Sequence, residues 1–177
     1  MPTSELTEVL KSRIREIPDF PKPGILFYDI TTLLRDPEGF RLSIDALAAP
    51  YKTAQIDLVV GIESRGFILG AAVADRLGAG FVPVRKVGKL PAKTVRVSYD
   101  LEYGSDALEV HSDAIVSGAR VLIVDDLLAT GGTAKATVDL VKQLGGSVEG
   151  IALLVELLEL PGRSKLAGER VHVVLQY

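Results

Sequence analysis

Residues 121–133 read Val-Leu-Ile-Val-Asp-Asp-Leu-Leu-Ala-Thr-Gly-Gly-Thr, and no other stretch constrains the fold of this chain as much. Val121 to Val124 is a continuous apolar run rich in β-branched residues, the pattern of a strand buried on both faces. Asp125 and Asp126 follow at its carboxyl end. Ala129, Thr130, Gly131, Gly132 and Thr133 then make a small, hydroxyl-bearing turn, and Ala134 to Leu144 suit a helix. A strand, a tight loop and a helix start in that order form an anion site. The unpaired backbone N–H groups and the positive end of the helix dipole converge on whatever sits in the loop. Thr130 and Thr133 can add hydroxyl donors, while Gly131 and Gly132 permit close approach and positive φ.

Two adjacent carboxylates beside a phosphate cradle would repel the phosphate unless they face something else. Sugar hydroxyls or a hydrated Mg²⁺ would serve, so the stretch suits a phosphorylated sugar. An acidic strand end of the Walker-B or response-regulator kind, or a plain Asp N-cap, leaves the glycine-rich segment that follows unexplained. The chain has neither a Gly-x-x-x-x-Gly-Lys-Ser/Thr loop nor a Gly-x-Gly-x-x-Gly fingerprint.

A second unit of the same kind lies upstream. Ile56 to Ile62 is an apolar strand, Glu63-Ser64-Arg65-Gly66 a short loop, and Phe67 to Leu77 a helix closed by Gly78. Ser64 and Arg65 carry a hydroxyl and a guanidinium suited to phosphate oxygens, although a tight turn with a surface Arg would use the same residues. After the strand Phe81 to Val84 comes a stretch from Arg85 to Arg96 holding Arg85, Lys86, Lys89, Lys93 and Arg96 without one acid. It reads either as a solvated loop or as a mobile one that closes over a diphosphate; the chain's net charge of −3 favours charge matching with an anionic ligand. Buried strands at 56–62, 81–84, 121–124, 150–155 and 171–175 alternate with helices. That spacing predicts an α/β fold, a mostly parallel twisted sheet with helices on both faces. Ligands of such sheets bind beyond the carboxyl ends of the strands, where both candidate anion loops and the Asp pair would converge.

Around this frame, Leu6, Val9, Leu10, Ile14 and Ile17 have helical spacing and predict an amphipathic helix over 4–17, either a hood or dimer contact or a simple packing helix. Pro18, Pro21, Pro23 and Gly24 force an extended path, and Phe27 and Tyr28 after them offer either core aromatics or a face for a flat base. Asp36-Pro37-Glu38 is an N-cap, a Pro at the first helical position and an acid in the first turn; its helix runs to Pro50. Residues 98–104 suit a strand near a hairpin and Leu108 to Ile115 its partner, with a turn and short helix at 161–166. The 177 residues suit one domain, 1–177, with an N-terminal hood over 1–34. No apolar run is long enough to span a bilayer, the acidic balance argues against a nucleic-acid partner, and the absence of cysteine and of a leader pattern predicts a cytoplasmic protein. His111 and His172 lack metal-ligand spacing and receive no role.

The 121–133 stretch resembles the phosphoribosyl-diphosphate motif of the type I phosphoribosyltransferases. Its form, Val-Asp-Asp-Leu-Leu-Ala-Thr-Gly-Gly-Thr, is most similar to the adenine phosphoribosyltransferases. Pro-Asp-Phe-Pro-Lys-Pro-Gly-Ile-Leu-Phe-Tyr-Asp resembles their base-binding segment, with Tyr28 standing where the family pattern carries Arg. The similarity runs from about Ile14 to Tyr177 with its motifs in order. It implies that Phe27 stacks on adenine and the Leu26 backbone reads its edge. Glu63, Ser64, Arg65, Gly66, Arg85, Lys86 and Lys89 would grip diphosphate, Arg65 and Lys86 acting in catalysis. Tyr-Asp-Leu-Glu-Tyr-Gly resembles the segment whose Glu, here Glu102, shares a proton with the base, with Tyr103 positioning substrate. The ribose hydroxyls would lie on Asp125 and Asp126, and the 5′-phosphate in Ala129 to Thr133. Mg²⁺ would be held through the diphosphate and ribose hydroxyls. The implied reaction joins adenine to 5-phosphoribosyl diphosphate, giving AMP and diphosphate, in a homodimer. A transferase for another purine base and a non-catalytic ligand sensor are the other two readings, and turnover across bases separates them.

Overall fold

A computed structural model of the chain describes residues 4–100 and 105–177. The N-terminal part holds helix α1 (Ser4–Lys11), strand β1 (Arg15–Pro18) and strand β2 (Leu26–Asp29). Two helices follow, α2 (Thr31–Arg35) and α3 (Pro37–Ala48), and then the first unit of the sheet, β3 (Leu58–Ile62) and α4 (Arg65–Leu77). Strands β4 (Gly80–Lys86), β5 (Thr94–Asp100), β6 (Ser105–His111) and β7 (Arg120–Leu128) lead to helix α5 (Gly132–Gln143), and β8 (Ser147–Glu156) and β9 (Val171–Gln176) complete the chain.

Seven strands form the main sheet in the order β5-β6-β4-β3-β7-β8-β9. From β4 to β9 every neighbouring pair is parallel, while β6 runs antiparallel to both β4 and β5. All five parallel strands expected from the apolar runs are present. Val121, Leu122, Ile123 and Val124 are fully buried, alternating between two cores. Leu122 and Val124 pack with α3 and α4, and Val121 and Ile123 pack with the apolar side of α5. Each such side chain contributes about 1.5–3 kcal/mol through burial. The β1–β2 ribbon is a separate two-stranded antiparallel sheet.

Local signals explain most element ends. Asp36 caps α3 by accepting from Gly39 N–H at 2.7 Å, and Pro37 opens the helix. Gly78 closes α4 in the left-handed region at φ 67°. The expected helix over 4–17 is shorter. It stops at Lys11, and Arg15–Pro18 is extended, because Pro18 disfavours helical backbone at Ile17 and the segment gains β2 as an antiparallel partner. Ile14 is nevertheless buried, as its helical spacing predicted. Strand β7 also runs further than expected. It extends to Leu128, so Asp125 and Asp126 lie inside the strand, Asp125 opposite Leu153.

Candidate active site

The carboxyl ends of β3, β4 and β7 lie side by side, since Gly61 pairs with Val124 on one flank and with Pro83 on the other. Each end carries one of the predicted motifs. The loop after β3 turns into α4 at Ser64, whose hydroxyl makes no cap bond to that helix. The Glu63–Ser64 peptide is cis. A methyl group added at Gly66 would meet the Asp125 Oδ1 at 2.7 Å, so the glycine lets this loop rest directly on the acidic strand.

Asp125 and Asp126 are both about nine-tenths buried. Asp125 accepts the Asp126 backbone N–H at 2.9 Å. Burial, and then the neighbouring Asp126 charge, hold its carboxyl well above the usual carboxylate range. Asp126 accepts from Arg65 Nε at 2.8 Å. Arg65, a sequence-predicted phosphate ligand, therefore stands against a sequence-predicted ribose ligand, with nearly half its side chain exposed to the cleft.

The 129–133 turn has the predicted form. Gly131 sits at φ 77° as the N-cap of α5, and no side chain caps the helix, so its first N–H groups face the loop. The loop is also braced from outside. Gly162, in the 3₁₀ turn Pro161–Leu166, lies so close that a methyl group there would meet the Ala129 carbonyl at 2.3 Å. Nothing in the 161–166 sequence beyond its Pro-Gly turn signal marks it as part of the cradle.

The basic segment is partly strand. Arg85 and Lys86 end β4, and Thr94 to Arg96 begin β5, so only 87–93 forms the connection. Arg85 donates to the Glu63 carboxylate through Nε at 3.1 Å, and Glu63 also accepts the Lys86 N–H at 3.2 Å. The Arg85 hydrogen bond leads in holding Glu63 below its ordinary value. Lys86 Nζ is 3.1 Å from Asp106 Oδ2, which also accepts from the Tyr99 hydroxyl at 3.4 Å. Burial raises the Tyr99 phenol and the Thr133 side chain beside it draws it back, which places the β5–β6 hairpin next to the 129–133 loop. The Lys89 carbonyl accepts from Arg85 at 3.3 Å. Neither Tyr99 nor Asp106 carries a sequence signal of this role, because the contact joins residues far apart in the chain.

The N-terminal ribbon adds the remaining wall. A cavity of about 450 Å³ is lined by Phe20, Leu26, Phe27, Arg65, Asp126 and Leu127, with Val155 and Leu157 beneath. Leu26 and Phe27 thus border the same cavity as the acidic strand, and Phe20 packs edge-on to Phe27 at 5.1 Å. Leu127 and Val155 escape sequence reading because apolar strand residues look alike whether they face a core or a ligand. Asp29 anchors the ribbon. The Thr31 side chain and N–H, together with Arg15, hold its carboxyl down at about 2. Tyr28 stacks on Tyr177 with ring centroids 3.9 Å apart. His172 makes a bond to the Ala46 carbonyl at 3.0 Å and His111 accepts the Ala92 N–H; neither lines the cavity. Glu102 and Tyr103 lie outside the described residues. Among the described residues no group of three or more His, Cys, Asp or Glu could hold a metal by itself, and no helix is long and apolar enough to cross a membrane.

These features match known proteins over almost the whole chain. The phosphoribosyl transferase domain family matches residues 29–170. The adenine phosphoribosyltransferase of Acidobacterium capsulatum is 64% identical, over 96% of this chain and 94% of its own length. The crystal structure of adenine phosphoribosyltransferase from Rhodothermus marinus superposes with a TM-score of 0.94 at 57% identity, covering 99% of this chain and all of the other. The Saccharomyces cerevisiae enzyme, solved with an imino-altritol bisphosphate and adenine, gives 0.92 at 43% identity, covering 98% of this chain and 100% of its own. On these matches the chain belongs to the phosphoribosyltransferase family, among the adenine phosphoribosyltransferases.

Proposed function

We propose that the chain transfers the 5-phosphoribosyl group from 5-phosphoribosyl 1-diphosphate to adenine, giving AMP and diphosphate in purine salvage. One observation carries the assignment of parts: a single cavity bordered by Leu26 and Phe27 opens onto Arg65 and Asp126. A flat base held there would lie against Asp126, one of the two carboxylates that would hold the ribose. The Saccharomyces cerevisiae relative was solved with adenine and an imino-altritol bisphosphate together, which supports a base and a phosphorylated sugar as the pair of ligands here.

In this reading adenine packs on Phe27 over Leu127, and the Leu26 backbone reads its edge. Asp125 and Asp126 accept hydrogen bonds from the ribose hydroxyls. The N–H groups of Ala129 to Thr133 hold the 5′-phosphate, using the orphan donors of a helix start. Arg65, Arg85, Lys86 and Lys89, with the N–H groups of Ser64, Arg65 and Gly66, take the leaving diphosphate; the Glu63 N–H, expected to join them, instead donates to the Val84 carbonyl at 3.0 Å. On binding, Arg65 exchanges Asp126 for phosphate oxygens, and Arg85 exchanges Glu63. By the family resemblance Glu102 shares a proton with the base and Tyr103 positions it. Displacement at C1′ passes through an oxocarbenium-like state and needs no protein nucleophile. The residues also suit Mg²⁺, which prefers one or two carboxylates together with substrate oxygens. The ion would neutralise charge on the diphosphate, with Asp125 and Asp126 nearby. A cytoplasmic setting suits 5-phosphoribosyl diphosphate, which is too highly charged to cross a membrane unaided, and a homodimer belongs to the same reading.

The test is product formation from labelled adenine with and without 5-phosphoribosyl diphosphate and Mg²⁺, with hypoxanthine and guanine in parallel. AMP is expected only when all three components are present. Turnover confined to another base would move the specificity assignment away from adenine, and nucleotide binding without product would make the chain a sensor.

A further inference from the structure

Glu109 is a buried carboxylate that the reaction above does not use. It lies on β6, the strand between β4 and β5, opposite Arg85 on one side and Arg96 on the other. Because β4 and β5 are both antiparallel to β6, they run parallel to each other, and residues 87–93 must cross over the face of β6 to join them. The Glu109 side chain meets this crossing. Its Oε1 accepts the Gly88 N–H at 2.9 Å and the Leu90 N–H at 3.4 Å; its Oε2 accepts the Thr94 hydroxyl at 3.1 Å and Arg96 Nε at 3.0 Å. Only 1% of the residue is exposed. Burial opposes its charge, but the four donors prevail and keep the carboxyl below its ordinary value.

We infer that Glu109 is a positioning residue for the diphosphate half of the site. It ties both ends of the 87–93 crossing to β6, and so sets where Arg85, Lys86 and Lys89 stand. A carboxylate is required, since all four partners are donors and a neutral amide would turn its NH₂ group against them. Its effect is selective, because the crossing borders the diphosphate cations and the base cavity has no residue from it.

The inference rests on the diphosphate role proposed for the basic segment, and two variants test it. In Glu109→Gln the KM for 5-phosphoribosyl diphosphate should rise about tenfold, with the KM for adenine unchanged. Trypsin should also cut faster at Lys89 and Lys93. Thr94→Val removes one donor and leaves the carboxylate, and should raise the same KM two- to fivefold; it decides the matter if Glu109→Gln does not fold. An unchanged KM for 5-phosphoribosyl diphosphate, or equal rises for both substrates, would overturn the positioning role. A wild-type chain that forms no AMP would instead overturn the reaction on which it rests.

Discussion

Asp125 shows how a single residue can trade stability for chemistry. Its carboxyl is buried beside a second carboxylate, and the protein holds its pKa up, so the charged form is disfavoured until a ligand supplies hydroxyls or a cation. For a group whose folded pKa is raised, the stabilising contribution of the protonated form is fully present below the unfolded value of about 4. It is lost as pH rises through the raised folded value. Asn keeps an oxygen for the Asp126 N–H and never ionises. Asp125→Asn should therefore match the wild type in acid and exceed it at neutral pH, by about 1 kcal/mol or ~2–4 °C in Tm. AMP formation should fall about 10- to 100-fold, the cost of one or so charged hydrogen bonds to ribose. Paired thermal melts at pH 4 and pH 7.5, with turnover at the latter, check both parts. A variant that is less stable at pH 7.5 would remove the strain argument, and full turnover would remove the ribose role.

At the scale of elements, the 129–133 loop proposed for the 5′-phosphate depends on a turn that looks like a plain connection. The 3₁₀ turn at 161–166 presses Gly162 onto the Ala129 carbonyl and beneath Gly131, whose own methyl group would meet the Gly162 carbonyl at 2.5 Å. A Cβ at Gly162 cannot be absorbed by a side-chain rotation, since its nearest neighbour is backbone. Gly162→Ala should push the loop off its helix-start geometry and raise the KM for 5-phosphoribosyl diphosphate at least tenfold, leaving the KM for adenine within twofold. Steady-state kinetics in both substrates decide this; an unaffected diphosphate KM would show that the turn yields instead. The sequence could not announce this contact, which joins segments about thirty residues apart. What it did announce was local. The apolar runs at 121–124 and 150–155, the Asp36 cap and the Gly78 stop are all read from neighbours along the chain. Where local pattern and tertiary pairing conflict, pairing wins: the helical spacing of Ile14 and Ile17 yields to the β1–β2 ribbon. In β7, backbone pairing with β8 carries the strand past the Asp pair to Leu128.

For the whole molecule, the site is legible in proportion to its backbone chemistry. Glycine turns, helix starts and acid pairs leave a mark in the sequence, and Gly131, Arg65 and Asp126 are singled out by it as candidates. Leu127, Val155, Asp106 and Glu109 act through surfaces assembled from distant segments and leave none. Tyr28 belongs to this second kind. It stacks on Tyr177, while the Tyr177 N–H donates to the Glu156 carbonyl and its own carbonyl accepts from Leu158. Lys11 closes the seam from the other side, 4.3 Å above the Tyr177 ring. The N-terminal ribbon is thereby fixed to the end of β8, which also lines the base cavity through Val155. An aromatic pair of this kind contributes about 0.5–1.5 kcal/mol, enough to change the ratio of seated to unseated ribbon by about two- to tenfold. In the proposed reading the seated ribbon presents Phe27 and Leu26 to adenine, so the apparent affinity for adenine falls by up to that factor when the pair is broken. Tyr177→Ala should raise the KM for adenine by up to about tenfold and spare that for 5-phosphoribosyl diphosphate, whose proposed ligands lie on the main sheet and its loops. Tyr177→Phe keeps the ring and should behave as wild type. Equal KM values for adenine across all three proteins would show that the ribbon is held by Asp29 and β1 alone, whereas a loss restored by Phe assigns the seating to the ring contact.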